Sequence, residues 1–326
     1  YGEEGAWGER ALGEAERARR VFELVGDNQG LAKAWRVIGS VHATALRYDQ
    51  AADAVQRAIE CARLAGDGRQ ERRNAGALTM ACVYGPMPVG VAIERCDEIR
   101  AISAGDRRTE GLALCALAQL EAMRGKFSEA RELYTTARAV LTEIGGGVLA
   151  ASTALDSSTV ELLAGDPVAA ESDLARDTDL LERMGERYLL STMAALLAQA
   201  LIAQGRYDEA AAACDRAEAA SADDDVESQV LVRSVRALLH LDAGRVEAAG
   251  ATIAAATKLL QGVEAPTIVA DAAVVTARVA AARGDLAAAD RELAAAAALY
   301  RQKGSVVSEA RVTELRAVLG LEPVDA

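Results

Sequence analysis

Aromatic residues are scarce in this chain: two Trp, seven Tyr and two Phe make up 3% of its 326 residues. So few rings exclude a thick aromatic centre. Alanine dominates the 51% apolar fraction, so the interior must consist of small side chains whose backbones approach closely. Helix packed on helix meets that demand, because Ala has the best helix propensity and the other frequent residues, Leu, Glu and Arg, are also strong helix formers. Runs of β-branched and aromatic residues that would make strands are lacking. No uncharged run of about 18 apolar residues occurs, and no succession of cationic, apolar and small residues opens the chain, so neither a membrane span nor a signal peptide is predicted.

Chemistry-bearing residues are equally sparse. Five cysteines, Cys61, Cys82, Cys96, Cys115 and Cys214, stand at irregular spacing with no CxxC pair, the pattern of reduced thiols in a cytoplasmic protein. They fall mostly on apolar helical faces and read as small core residues. Neither His42 nor His240 has a His or Cys three or four residues away, so no metal site is expected. His42 reads as a packed side chain. No Ser, His and Asp cluster carries a known signature, and no GxxxxGK[ST] loop is present. Gly145-Gly146-Gly147, followed by Val148 and Leu149, lacks the lysine and hydroxyl of a phosphate loop and reads as a joint between helices. No catalytic residue or cofactor is predicted, and the chain is not expected to be an enzyme.

The formal charge is −13, unevenly spread: residues 1–108 hold 16 basic and 16 acidic side chains, leaving 20 against 33 for the remainder. An acidic surface repels phosphate backbones, which argues against a nucleic-acid partner.

What the sequence does hold is a repeat. Gly125-Lys126-Phe127-Ser128-Glu129-Ala130, Gly205-Arg206-Tyr207-Asp208-Glu209-Ala210 and Gly284-Asp285-Leu286-Ala287-Ala288-Ala289 are its cleanest copies. With the weaker copies, the key alanines fall at 11, 51, 92, 130, 170, 210, 249 and 289, in steps of 38 to 41 residues. Four and seven positions after each come residues that continue one helical face as a small, larger, small stripe, broken only by Asp177. Between these turn-led helices lies an intervening set, for example 111–124, 189–204 and 228–243, ending near Gly125, Gly205 and Gly244, where a left-handed glycine closes a helix. Gly165 and Gly284 read the same way. Gly85-Pro86-Met87-Pro88 reads as a tight turn, and Asp223-Asp224-Asp225 as a helix N-cap. About sixteen helices are expected, the last near 306–319 as a terminal cap. They form one all-α domain over 1–326, a right-handed superhelix of seven to eight helix-turn-helix units of about 40 residues, because a single hairpin cannot bury its apolar face. The helical pattern already running at Tyr1 predicts a fragment of a longer protein, and Trp7 is expected to mark a packing face.

Ala34-Trp35 through Gly39, with Tyr48 and Ala51, resembles the tetratricopeptide consensus, although the unit exceeds that family's usual length. Elongated repeats of this kind look like the C-terminal regions of bacterial signalling ATPases, LuxR-type regulators and class III adenylate or guanylate cyclases with an ATPase domain. The segments 84–89, 120–125 and 299–307 are similar to the cyclase-linked group. The resemblance implies a concave surface lined by the intervening helices.

Candidate groove residues follow. Lys33, Arg36, Arg72 and Arg73 form a basic group on these helices, with a solvated face as the plain alternative. Arg233 and Arg236, three apart and so on one face, either form an internal ion pair or contact an anion. Gln119, Gln199 and Arg278 are further polar positions. The Lys and Asn arrangement with which some tetratricopeptide domains clamp chaperone C-termini is not reproduced, since Ser40 stands where Asn is wanted. The expected function is a non-catalytic interaction or regulatory scaffold that binds a protein or peptide in its groove. The alternative is a sensor of a small-molecule effector, and self-association through the end helices is allowed.

Overall fold

The computed structural model describes residues 7–145 and 147–321. Among them are seventeen α-helices and no strand: α1 (Trp7–Val25), α2 (Asn28–Thr44), α3 (Tyr48–Leu64), α4 (Gly68–Ala75), α5 (Leu78–Tyr84), α6 (Val89–Ile102), α7 (Arg107–Met123), α8 (Phe127–Glu143), α9 (Gly147–Ala164), α10 (Pro167–Met184), α11 (Arg187–Ala203), α12 (Tyr207–Ala220), α13 (Val226–Asp242), α14 (Val246–Leu259), α15 (Pro266–Ala282), α16 (Leu286–Lys303) and α17 (Val306–Val318). The side chain of Trp7 and all of Gly146 lie outside the described residues.

The repeating alanines are where successive helices touch. From Ala51 to Ala289 all seven are buried, as are Val55, Cys96, Leu174, Cys214, Ile253 and Leu293 four residues on. Ala11 is only half-buried, on the first turn-led helix of the stack. Glycine deepens the approach: a Cβ on Gly39 would lie 2.7 Å from Val55 Cγ2 and 3.2 Å from the Ala51 carbonyl, and one on Gly111 would lie 2.5 Å from Leu141 Cδ2. Four of the five cysteines are buried and Cys61 is half-buried.

Intervening helices α7, α9, α11, α13 and α15 each pack on the next of their own kind, whereas among the described residues the turn-led helices pack on intervening helices. The intervening set is therefore the inner, concave layer. Polar contacts also run at the repeat step. Arg138 bonds Asp177 at 2.6 Å, Gln119 bonds Asp156 at 2.6 Å, Ser228 bonds Ser191 at 2.6 Å and Arg206 bonds Glu171 at 2.6 Å. Asp177, which breaks the apolar stripe, is thus a buried anion shared by Arg138 and Arg176.

Three details differ from the sequence reading. The helices number seventeen because one intervening position is split at Gly76-Ala77: the Thr79 hydroxyl takes the Gly76 carbonyl at 2.8 Å and Thr109 takes the Arg72 carbonyl at 3.2 Å, so the break leaves those two acceptors satisfied. Helices α7, α11 and α13 begin earlier than 111, 189 and 228, because Asp106, Glu186 and Asp225 accept backbone N–H bonds of the first turn. And Leu46, at φ +56°, takes the left-handed position that glycine fills at 125, 165, 205, 244 and 284. Its carbonyl accepts a bond from Glu264 N at 2.8 Å and its side chain is fully buried, which holds a conformation that costs a non-glycine residue about 1 kcal/mol.

That bond belongs to a second kind of packing, between segments far apart in the chain. Glu264 Oε2 also accepts the Asp49 amide at 2.9 Å, a carboxylate on the first turn of α3. Lys303, fully buried at the end of α16, donates to the carbonyls of Cys82 at 2.8 Å, Gly85 at 2.7 Å and Met87 at 2.8 Å. Arg311 donates to the Leu162 and Leu163 carbonyls at the C-terminus of α9, at 2.7 and 3.0 Å. The solenoid therefore winds until its last helices sit against its first ones, and the Gly85-Pro86-Met87-Pro88 turn is the receptacle. Replacing Lys303 by Met should lower unfolding stability by about 3 kcal/mol, because three buried carbonyls lose a charged donor. Urea denaturation measures this, and faster hydrogen exchange at Asp49 and Gln50 should accompany it; unchanged exchange there would show that Lys303 does not hold the closure.

Candidate functional site

Closure turns the concave groove into a chamber. A cavity of about 590 Å³ opens between α2, α3, α4, α5 and α7 on one side and the first turns of α11 and α13 on the other. Its near wall carries Arg36, Arg69, Arg73 and Arg108, together with Asp106, whose carboxylate caps α7 at the Thr109 amide; its far wall carries Tyr188, Asp225 and Glu227.

The basic wall is built by three successive intervening positions, with Arg36, Arg73 and Arg108 spaced at nearly the repeat step. Arg36 is half-buried, and its Nη1 donates to the Arg73 carbonyl at 3.0 Å. Burial, followed by the charges of Arg73 and Arg108, lowers its pKa. Elsewhere, several arginines that bridge successive repeats end on carboxylates, as Arg283 does on Glu247 and Arg138 on Asp177, although Arg187 ends on the Ala219 carbonyl. Among the described residues, none of the four cavity arginines forms an ion pair.

The far wall has the opposite imbalance. Burial and then Asp225 push the Glu227 carboxyl up to about 7, and burial pushes Asp225 up to about 6 even though its carboxylate caps α13 through the Ser228 amide at 3.2 Å. Tyr48 at the cavity edge is 1% exposed, and its hydroxyl has no hydrogen-bond partner. The Tyr84 ring stacks on it at 5.8 Å. Outside the cavity lining, on α9 and α15, Asp156 and Asp271 are each pushed up to about 6, chiefly by desolvation. Asp271 is nonetheless exposed to solvent. Gln119 holds Asp156, and the Tyr300 hydroxyl donates to Asp271.

Of the nine candidate residues, Arg36 and Arg73 meet in the cavity, and Gln119 lies on the inner layer bound to Asp156. Arg236 points between helices to Asp215 and Glu218 of α12, at 2.6 and 2.8 Å. Arg233 turns back on its own helix, donating to the Gln229 carbonyl at 2.9 Å and to the Gln229 side chain. Lys33 and Arg278 are exposed; Arg72 and Gln199 are half-buried outside the cavity lining. Sequence reasoning missed Arg69, Arg108, Tyr48, Tyr188, Asp225 and Glu227. The recurrence of Arg36, Arg73 and Arg108 near the repeat step was a usable signal; the far wall, brought in by closure, left none. The His42 ring is half-buried, with Nδ1 unpartnered.

No protein-family model and no curated protein matches the chain. Among solved structures it is similar to a Rap protein complexed with competence and sporulation factor, with a TM-score of 0.64 and 13% identity over 89% of this chain and 77% of that one. It is also similar to NprR in complex with its cognate peptide NprX, with a TM-score of 0.57 and 14% identity over 78% of this chain and 74% of that one. The apo form of the quorum sensor NprR from B. thuringiensis gives 0.51 and 14%, over 93% and 84%. At this identity the likeness shows the fold: a tetratricopeptide-like helical solenoid. No helix among the described residues is long and apolar enough to cross a membrane.

The raised pKa of Glu227 has a definite sign. At low pH the folded and unfolded chains both hold its proton. Above the ordinary glutamate value the unfolded chain releases it while the folded chain keeps it to about 7, so the folded state loses stability as pH rises through that range. Glu227→Gln should therefore be more stable than the parent at pH 8, by on the order of 1 kcal/mol after allowance for its partial exposure, with the gap shrinking towards pH 5. Urea melts at the two pH values measure it. The difference isolates Glu227 from Asp156, Asp225 and Asp271, which shift the same way; a gap independent of pH would mean that Glu227 ionises freely.

Proposed function

We propose that the chain is a non-catalytic regulatory module that binds a peptide, or a short segment of a partner protein, inside its concave chamber. The observation that carries this reading is the cavity itself: its two walls come from regions more than seventy residues apart, so an occupant touching both is read by the closed form of the solenoid. Two of the similar solved structures hold, in their own descriptions, competence and sporulation factor and the cognate peptide NprX, which supports an oligopeptide in this kind of groove. The sequence resemblance adds a setting, a cytoplasmic bacterial signalling protein whose ATPase or cyclase domain answers to ligand binding.

Ser40→Trp tests the site. Ser40 is exposed and lines the cavity, so an indole there fills space without disturbing the core. Peptides selected on an immobilised array should bind the parent chain and lose at least tenfold in affinity for the variant at equal helicity; equal binding would place the peptide site elsewhere.

A small effector is the second reading, favoured by a cavity volume within the range of small-molecule pockets, roughly 300–1,000 Å³. A metabolite supplied at about 100 times its dissociation constant should stabilise the chain by about 2.7 kcal/mol in thermal unfolding. A module that docks only protein would ignore every such compound.

A further inference from the structure

The two walls of the cavity are each short of a counter-charge, and of opposite kinds. On the near wall, Arg36, Arg73 and Arg108 lie close enough for the latter two to disfavour the charge on Arg36, and Arg69 lines the same space. The chain carries 49 acidic residues against 36 basic ones, so carboxylates are not in short supply. The contact by which Arg36 reaches the next repeat nevertheless ends on a backbone carbonyl, not on an acid. Clustered guanidinium groups repel one another, and their rigid forks suit a carboxylate or phosphate better than any other partner.

Across the cavity, Glu227 forms no ion pair among the described residues, and the charge that acts on it is the like charge of Asp225. Beside it stand the Tyr188 ring and the Tyr48 hydroxyl, the latter buried and unpartnered. A carboxylate flanked by tyrosines is the surrounding an ammonium group seeks, through charge, hydrogen bonding and the negative faces of the rings. An unsatisfied hydroxyl at 1% exposure is costly unless something enters to meet it.

We infer that the cavity takes a short dipolar molecule, with an ammonium group against Glu227, Tyr48 and Tyr188 and an anionic group against Arg36, Arg73 and Arg108; its simplest form is a peptide of a few residues with both ends free. The inference rests on the reading of the chamber as the ligand site and narrows it to a ligand that bridges both poles. Such a ligand ties the early repeats to α11 and α13, and so favours the closed solenoid over any opened form.

The test uses a pool of random pentapeptides in four forms: both ends free, N-acetylated, C-amidated and doubly blocked. Binding is read from the rise in melting temperature and from the half-saturating concentration, on the full chain and on the Glu227→Gln and Arg73→Met/Arg108→Met variants. The free-ended pool should bind most tightly, with acetylation and amidation each costing tenfold or more. Glu227→Gln should abolish the penalty of acetylation and leave that of amidation; the double arginine variant should do the reverse. Arg73 and Arg108 are exposed in a like-charged group, so without ligand the double variant should melt no lower than the parent, which separates loss of binding from loss of fold.

Inorganic phosphate is the control for a plain anion site. If phosphate protects as well as the free-ended pool does, and Glu227→Gln changes nothing, the dipolar inference is overturned in favour of an anion pocket. If all four pools bind equally, it is overturned while peptide binding in the groove survives. If no pool binds, it is also overturned, and the groove reading is then decided by longer peptides on the Ser40→Trp variant.

Discussion

The ammonium group of Lys303 sits where the two ends of a helical stack meet. A solenoid of small-residue contacts fixes only the relation of each unit to the next, and the sum of those relations brings the sixteenth helix to the turn before the sixth. Three carbonyls at 2.7 to 2.8 Å then make the meeting specific. Burial draws the Lys303 pKa down to about 8, so the carbonyl cage repays only part of the cost of desolvation. Glu264 and Arg311 repeat the device more cheaply, each at a helix end of the sign that suits its charge. Without these tethers the concave face would be an open trough with the early arginines on one side and nothing opposite them.

Local regularities of the fold were legible in the sequence because they recur. The step of about 40 residues, the small, larger, small stripe and the left-handed glycines at 125, 165, 205, 244 and 284 are each set by neighbours within a unit or one unit away. The same step governs the polar contacts, which is why Arg138 finds Asp177 and Gln119 finds Asp156. What did not show was whatever happens once. Leu46 stands where a glycine is expected, and its reason is Glu264, more than two hundred residues later. The split between α4 and α5 depends on hydroxyls of Thr79 and Thr109 that carry no helix-breaking signature.

The candidate site divides along the same line. Arg36 and Arg73 could be nominated because tetratricopeptide-like stacks turn those helices inward. Arg233 and Arg236 looked equally interesting from their spacing, yet helix phase turns Arg236 into the seam with α12, where Asp215 and Glu218 take it up. Asp225 read as a capping acid and is one, while Glu227 carried no signal; their place on the cavity wall exists only because closure carries the start of α13 across to Tyr48.

Closure and the charge pattern are therefore one problem. The carboxylates of Asp225 and Glu227, raised to about 6 and about 7 on one wall of the cavity, and an unpaired group of arginines on the other cost the folded chain stability in the absence of a ligand. If the chamber served only to hold the helices together, apolar residues of similar size would do so at least as well, as replacements of buried ion pairs by well-packed hydrophobic residues show. The cost falls on the inner surface and the early-repeat wall, while the outer helices carry ordinary exposed ion pairs such as Arg216 with Glu182. The facing of a basic wall by an acidic one across a single cavity is what supports the proposal that the chamber is the ligand site.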